Sequence, residues 1–287
     1  MISTELNRII AVKPVLKEII EHNGGSVPEG ALISQYADSI MAIKNQTGYV
    51  MNNNYHFLTF ECVGLMSNRT LAWIALEKIG HPGISQISYF INGVSYNYTL
   101  GTQILLRMGD RVSFAAKVTD RSSSSYIHFY GGDGYFNAYG DVSSMDDFKS
   151  NSTTSSYAYA NLFALVDNKV LPLLKAPDFS KIKTHSQYMF YQTFYNNTYL
   201  LDGPELDFMN GNYTLLTPAP VSCCESMCNG CVNLRYIKIM CGATNTLGTN
   251  FFSNTLTNTN GSGRLFYNSA TPTAPSGWVK QRGTLFD

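Results

Sequence analysis

The chain has 287 residues and no net formal charge, and only 14% of its residues are charged, against roughly 25% in an ordinary soluble protein. Its polar surface is expected to consist of Asn, Ser, Thr and the 19 tyrosines instead. This composition argues against the basic face that nucleic-acid binding requires, and the absence of a long apolar run argues against a secretory signal and a membrane span.

The first 48 residues are predicted to form a helical oligomerisation and attachment module. Apolar residues recur at alternating steps of four and three, which is a heptad seam interrupted by Lys13 and Pro14. The residues expected to mediate self-association or attachment are Ile2, Leu6, Ile9, Leu16, Ile20, Tyr36 and Ile40. Isoleucine at core positions favours a trimer over a dimer. The alternative is a helical hairpin that packs on its own domain.

Residues 49–145 change to short alternating runs and predict a β-sandwich-like domain. The predicted strands are 56–62, 70–76, 87–91, 94–99, 104–108, 111–116, 126–130 and 134–139. Asn92-Gly93 is a strong hairpin signal, and Gly109-Asp110 indicates a second tight turn.

No catalytic constellation is visible in this region, so the chain is predicted not to be an enzyme and to need no cofactor. His56, His81 and His128 are scattered. Asp146-Asp147 is interpreted as a solvated turn. The glycine-rich stretch 131–134 lacks the lysine of a phosphate-binding loop and is interpreted as a turn between strands.

Residues 146–287 contain a degenerate repeat. Near-copies of one pattern start at Phe194 and Met227, and a weaker copy starts at Phe163, at spacings of 31 and 33 residues. Such periods are typical of stacked solenoid units, which usually bind partners. Trp278 is expected to cover the open face of the last unit.

The cysteines of the repeat allow three interpretations. A four-thiolate zinc site would use Cys224, Cys228, Cys231 and Cys241. Cys228 and Cys231 alone have the spacing of a redox pair. Buried thiols are favoured over both, because Cys228 and Cys231 align with Tyr195 and Thr198 of the preceding copy and repeat positions of this kind are usually small core residues.

Several stretches match a known repeat in pieces: 189–190, 194–198, 201 and 204–206, with 228–238 matching its last unit and 275–278 its tail. They resemble the BspA-like leucine-rich repeat. Segments 2–10, 27–28 and 36–40 resemble the leader of virion proteins in phages of Bacteroidales, including crAss-like phages.

The resemblance implies a multidomain, mainly β virion protein with the limits 1–48, 49–145 and 146–287. The implied function is a phage head fibre on the capsid, oligomeric, attached to capsid or other virion proteins through its N-terminus and adhering weakly to host-surface glycans. A tail fibre and a bacterial cell-surface adhesin are the alternatives.

Overall fold

The computed structural model describes residues 57–91, 94–147, 156–177, 179, 182, 186–208, 222–241, 250, 253–259, 264–267 and 276–282. Within these residues the chain forms thirteen strands and one single-turn helix. The predicted mainly β class is therefore confirmed. The predicted helical module of residues 1–48 lies outside the described residues.

The first eight strands bury most of their apolar residues, although Val94, Tyr96 and Leu105 are exposed. They are β1 (Leu58–Leu65), β2 (Ala72–Ile79), β3 (Gly83–Ile91), β4 (Val94–Asn97), β5 (Ile104–Leu106), β6 (Arg111–Thr119), β7 (Tyr126–Gly132) and β8 (Gly134–Tyr139). All eight correspond to predicted strands, and β8 has the predicted limits. Their ends differ elsewhere by a few residues, as is usual for boundaries read from a pattern.

These strands form two sheets. Strands β8, β1, β6, β3 and β4 are neighbours in one sheet, and β5, β2 and β7 form the other. The rings of Phe60 and Phe114 on the first sheet contact Phe129 on the second, at centroid distances of 4.8 and 5.0 Å. The two sheets therefore pack face to face around an aromatic core.

Two predicted turns are present but connect strands of different sheets. Gly109 adopts a φ of 89° between β5 and β6, and Asp133 adopts a φ of 62° between β7 and β8. Since β5 and β7 belong to the three-stranded sheet and β6 and β8 to the other, each turn carries the chain across the core. Neither turn closes a hairpin.

The helix α1 (Ser144–Asp147) corrects one sequence interpretation. Asp146 is not a solvated residue, because its side chain is 9% exposed and forms an ion pair with Arg121, whose side chain is 1% exposed. A buried guanidinium requires such a partner. Asp146 therefore contributes to the core beside β6.

The repeat region adds five short strands, which are β9 (Leu173–Lys175), β10 (Asp202–Phe208), β11 (Tyr236–Cys241), β12 (Arg264–Tyr267) and β13 (Val279–Arg282). They pair in parallel and in chain order, and β9 also pairs in parallel with β8. One sheet of ten strands thus runs from the face-to-face region into the repeats, with β13 and β4 at its edges.

Strands β9 to β12 each follow a segment of consecutive tight turns, here called a turn segment: 156–165, 186–197, 222–231 and 253–259. In the first segment, every second N–H from Tyr157 to Leu165 donates to a carbonyl of the second segment. The intervening N–H groups of Ala160, Leu162 and Ala164 close turns within the segment. Backbone groups inside the stack are thereby satisfied without a regular helix.

The turn segments stack in a register that corrects the predicted alignment. Within the turn segments, a positive φ recurs at every fourth residue. Asn196, Gly230 and Asn258 are the last residues with positive φ in the second, third and fourth segments, so they occupy equivalent positions. Cys231, the residue after Gly230, is therefore equivalent to Asn197 and not to Thr198. By the same register Cys228 is equivalent to Phe194. The predicted spacing of 31 residues between Phe163 and Phe194 is correct, since their rings stack at 5.3 Å.

The first turn segment lies directly on the face-to-face sheets. Phe129 of β7 donates its N–H to the Leu162 carbonyl, and Phe136 of β8 donates to the Pro172 carbonyl. The ring of Phe163 stacks on Phe129 at 5.8 Å. The hydrophobic core is therefore continuous between the two regions.

The far end of the repeat region is covered by the predicted tryptophan. Trp278 is 8% exposed and belongs to the core. It directly precedes β13, the edge strand of the ten-stranded sheet. Its location agrees with the predicted role of closing the last unit.

Candidate functional site

Three partly exposed tyrosines form a cluster on the first two turn segments. Tyr157 and Tyr188 occupy equivalent positions with positive φ, and their rings stack at 4.8 Å with an interplanar angle of 9°. Tyr191 meets both rings edge-on, at 6.1 and 5.9 Å. Burial raises the pKa of the Tyr157 and Tyr191 hydroxyls, so these groups are neutral donors at physiological pH.

Amide side chains form hydrogen bonds between successive units of the stack. Asn258 donates to the side-chain oxygen of Asn229 in the preceding segment at 3.3 Å, and Asn233 donates to the Thr198 carbonyl at 2.7 Å. Tyrosine rings offer both stacking faces and hydroxyl groups, which suits a ligand that is part apolar and part hydroxylated. The structure thus brings together Tyr157 with Tyr188 and Tyr191, which are far apart in sequence.

Asn197 has a structural role inside the stack. Its side chain is fully buried, and its Nδ2 donates to the carbonyls of Phe163 and Leu171 at 3.0 Å each. Its Oδ1 accepts from the N–H of Tyr199. At the equivalent position of the next segment, the Cys231 thiol donates to the Phe194 carbonyl at 3.0 Å.

The cysteines of the repeat are core residues, as predicted. Cys223, Cys224, Cys228 and Cys231 are fully buried and carry free thiols. Burial raises the pKa of the Cys228 thiol well above its ordinary value, and contact with Cys231 raises it further. The Cys228 thiol is therefore protonated and unreactive at neutral pH.

Three of the four predicted zinc ligands have described side chains. No group of three or more His, Cys, Asp or Glu side chains suited to a metal ion occurs among the residues that the structure describes. The side chain of Cys241 lies outside them. The predicted set of Cys224, Cys228, Cys231 and Cys241 is therefore brought together only in part.

A cluster of ionisable side chains around the buried His128 joins the three-stranded sheet to the first turn segment, and the sequence did not predict it. His128 of β7 is fully buried, with Nε2 at 2.8 Å from the Ala164 carbonyl and Nδ1 at 3.2 Å from Glu77 Oε1. The other oxygen of Glu77 lies 2.6 Å from Lys169 Nζ. Burial lowers the pKa of His128 and outweighs the opposite effects of Ala164 and Glu77.

The alternation within each strand gave a partial signal for this cluster. Glu77 shares one face of β2 with Trp73, and His128 shares one face of β7 with Tyr130. The pairing of β2 with β7 joins residues about 50 positions apart, which no local pattern reveals. The histidine therefore looked isolated in the sequence.

The seven predicted association residues, Ile2, Leu6, Ile9, Leu16, Ile20, Tyr36 and Ile40, lie outside the described residues. In the part of the chain that is described, no helix is long and apolar enough to cross a membrane.

Comparison with known proteins gives no family assignment: no family model matches the chain, and no curated protein or solved structure is similar to it. The leucine-rich repeat and virion interpretations rest on the sequence resemblance alone.

Proposed function

We propose that this chain is a structural virion protein, a phage head fibre whose N-terminal region attaches to the particle. In this proposal the β-sandwich-like region and a short BspA-like leucine-rich-repeat solenoid form the body of the fibre. The chain acts as a homo-oligomer, with a trimer favoured, and has no enzymatic activity. The leader resemblance and the stacked parallel repeat are the features that support it.

The observation that carries the proposal is the continuous core between the face-to-face sheets and the repeats. One ten-stranded sheet and one hydrophobic core run through both regions, so their described residues pack directly on each other. Two regions that share a core suit a protein that projects binding surfaces from a particle.

The cluster of Tyr157, Tyr188 and Tyr191 is the proposed adhesive surface. Its rings offer stacking faces and hydroxyl groups to hydroxylated ligands such as glycans. Weak single contacts gain strength when an oligomer presents several copies of the surface together.

The location on the particle is the decisive test. Gold-labelled antibody raised against residues 57–287 is expected to mark the capsid of intact phage particles. Labelling of the tail alone would support the tail-fibre alternative. Labelling of the bacterial surface without any phage particle would contradict the proposal and support an adhesin.

A sedimentation experiment tests the oligomer. The full chain is expected to sediment as a trimer, and a variant without residues 1–45 as a monomer. If both sediment as monomers, the proposed N-terminal association is wrong.

The non-enzymatic role has its own test. Host capsular polysaccharide incubated with the purified chain is expected to keep its size on a sizing column. Depolymerisation that is abolished by changing an Asp or Glu residue would contradict the proposal.

A further inference from the structure

The outer face of the three-stranded sheet displays aromatic and apolar side chains. Trp73 of β2 lies opposite Leu105 of β5 on one side and Gly132 of β7 on the other. Leu105 is 58% exposed, and Trp73 is partly exposed. Residues opposite one another in an antiparallel pair point to the same face, so these residues form one surface.

The Trp73 ring lies flat on the sheet. A Cβ atom built on Gly132 would be 3.0 to 3.1 Å from three atoms of the indole, Nε1, Cε2 and Cζ2. Three nearly equal distances mean that one ring face covers the glycine backbone. Tyr130 meets the indole edge-on, with centroids 5.7 Å apart and an interplanar angle of 82°. The face of Trp73 opposite Gly132 is directed away from the sheet.

Two hydrogen-bond donors on this surface are available to a ligand. Within the described residues, neither the indole N–H of Trp73 nor the hydroxyl of Tyr130 makes a hydrogen bond to the chain. Both groups flank the flat ring face. A surface that combines an apolar face with free donors at its edge suits a ligand with the same two properties.

The charges on this surface are paired. Lys169 lies 4.9 Å from the centre of the Tyr130 ring and 2.6 Å from Glu77 Oε2. The ammonium and carboxylate neutralise each other, so the surface offers polar groups without net charge. Lys169 has further donors and Glu77 a further lone pair for hydroxyl groups.

We infer that this face, formed by Trp73, Tyr130, Leu105, Glu77 and Lys169, is a binding site for a neutral saccharide. The apolar C–H face of a pyranose ring packs on Trp73, and its hydroxyls bond to the indole N–H, the Tyr130 hydroxyl and the Glu77–Lys169 pair. The inference deepens the adhesion part of the proposed function and places a second glycan contact on the three-stranded sheet, apart from the tyrosines of the repeat.

Affinity electrophoresis of the full chain tests the site. Native gels contain one polysaccharide each: the neutral polymers mannan, β-glucan, xylan and galactan, and the anionic polymer alginate. At least one neutral polymer is expected to retard the chain, and Trp73→Ala to weaken that retardation about tenfold or more, since a stacked tryptophan dominates such contacts. Tyr96→Ala, which removes an aromatic residue that is 44% exposed on the other sheet, is the matched control and keeps the wild-type retardation.

Conservative variants keep the test valid if Trp73→Ala does not fold. Tyr130→Phe keeps the ring and removes only the hydroxyl, so a loss of about fivefold is expected from one hydrogen bond. Trp73→Phe keeps an aromatic ring over Gly132 and is expected to bind at an intermediate level. Near-ultraviolet circular dichroism of each variant confirms that the core is intact.

Three outcomes would overturn the inference. They are no retardation by any neutral polymer, retardation by alginate alone, and binding that Trp73 and Tyr130 variants leave unchanged. Self-association that depends on Trp73, seen by sedimentation without sugar binding, would show that a second copy covers the face. Binding by the purified chain does not depend on its place in a particle, so failure here is distinct from failure of virion labelling.

Discussion

At the residue scale, the stack of turn segments depends on a few positions where one side chain has no substitute. Asn197 satisfies three backbone groups from inside the core. Gly230 has a φ of 78°, and a Cβ there would lie beside the Asn196 side-chain oxygen. Both residues act through the backbone of neighbouring segments, so their effect on stability exceeds that of their own small side chains.

Asn197→Asp is expected to lower the free energy of unfolding by at least about 2 kcal/mol, because a carboxylate oxygen then faces two buried carbonyls that lose their donor. Chemical denaturation followed by circular dichroism measures the change. The control is Asn229→Asp, since partly exposed Asn229 only accepts from Asn258. Equal stability of the two variants would contradict the buried role of Asn197.

Gly230→Ala is expected to cost about 1–3 kcal/mol from backbone strain plus the collision with Asn196. Gly101→Ala is the matched control, because Gly101 has a φ of 82° and nothing within 4 Å of a built Cβ. The loss of stability in Gly101→Ala comes from backbone strain alone. The difference in stability between the two variants therefore measures the collision with Asn196. Thermal unfolding measures the stability of both variants. A smaller loss of stability in Gly230→Ala than in Gly101→Ala would refute the tight stacking of the turn segments.

At the scale of elements, the third turn segment and strand β7 bury groups that are usually reactive or charged. The segment places four cysteines in the core, where burial raises the pKa of the Cys228 thiol. Strand β7 carries His128 into the junction with the first turn segment, where Glu77 and Lys169 complete the cluster. Burial decides the chemistry of both elements.

Alkylation measures the state of the thiols. In the native chain, Cys223, Cys224, Cys228 and Cys231 are expected to resist iodoacetamide at pH 8, while the unfolded chain reacts fully. Exposed glutathione in the same tube controls for reagent activity. Rapid native labelling would contradict core packing, and about one equivalent of zinc per chain, found by metal analysis, would establish the thiolate site instead.

His128 predicts a pH dependence of stability. Its folded pKa is lowered by burial, while the unfolded residue titrates near about 6.5. As the pH falls below that value, the unfolded state gains a proton that the folded state does not bind, so the free energy of unfolding falls. Between about pH 7 and pH 5, His128→Asn is therefore expected to lose less stability than the wild type does.

His81→Asn is the control for this prediction, because His81 is exposed. Its pH profile of unfolding is expected to follow the wild type. Identical profiles for the His128 variant and the wild type would refute the buried neutral ring.

At the scale of the whole molecule, aromatic rings link the face-to-face sheets to the repeats. Phe163 contacts Phe60 and Phe129 on one side and Phe194 on the other, with centroid distances of 6.0, 5.8 and 5.3 Å. The first turn segment also bonds to β7 through Leu162, and Pro172, which follows the segment, bonds to β8. A core shared in this way is expected to unfold as one cooperative unit.

The two tryptophans test that cooperativity. Trp278→Phe leaves Trp73 as the reporter of the sheets, and Trp73→Phe leaves Trp278 as the reporter of the repeats. Phe163→Ala, in either background, is expected to cost about 3–5 kcal/mol and to shift both fluorescence transitions together. Tyr96→Phe, at a partly exposed surface position, is the control that shifts neither. Separate midpoints would show two independent units.

The sequence by itself determined the mainly β class, the eight strands of residues 57–139, the repeat from Phe163 onward and the burial of the repeat cysteines. These features follow from local alternation and from periodicity, which are properties of neighbouring residues. The limits 48 and 145 remain predictions, as do the helical module and the oligomer.

Only the tertiary structure decided which strands share a sheet, the one-residue shift that aligns Cys231 with Asn197, and the meeting of Trp73, Glu77 and His128 with Tyr130 and Lys169. Each depends on pairing between residues far apart in the chain. Alternation assigns a residue to a face of its strand but leaves the neighbouring strand unspecified. Asp146 shows the same limit, since its charge indicated solvent until the fold placed Arg121 beside it.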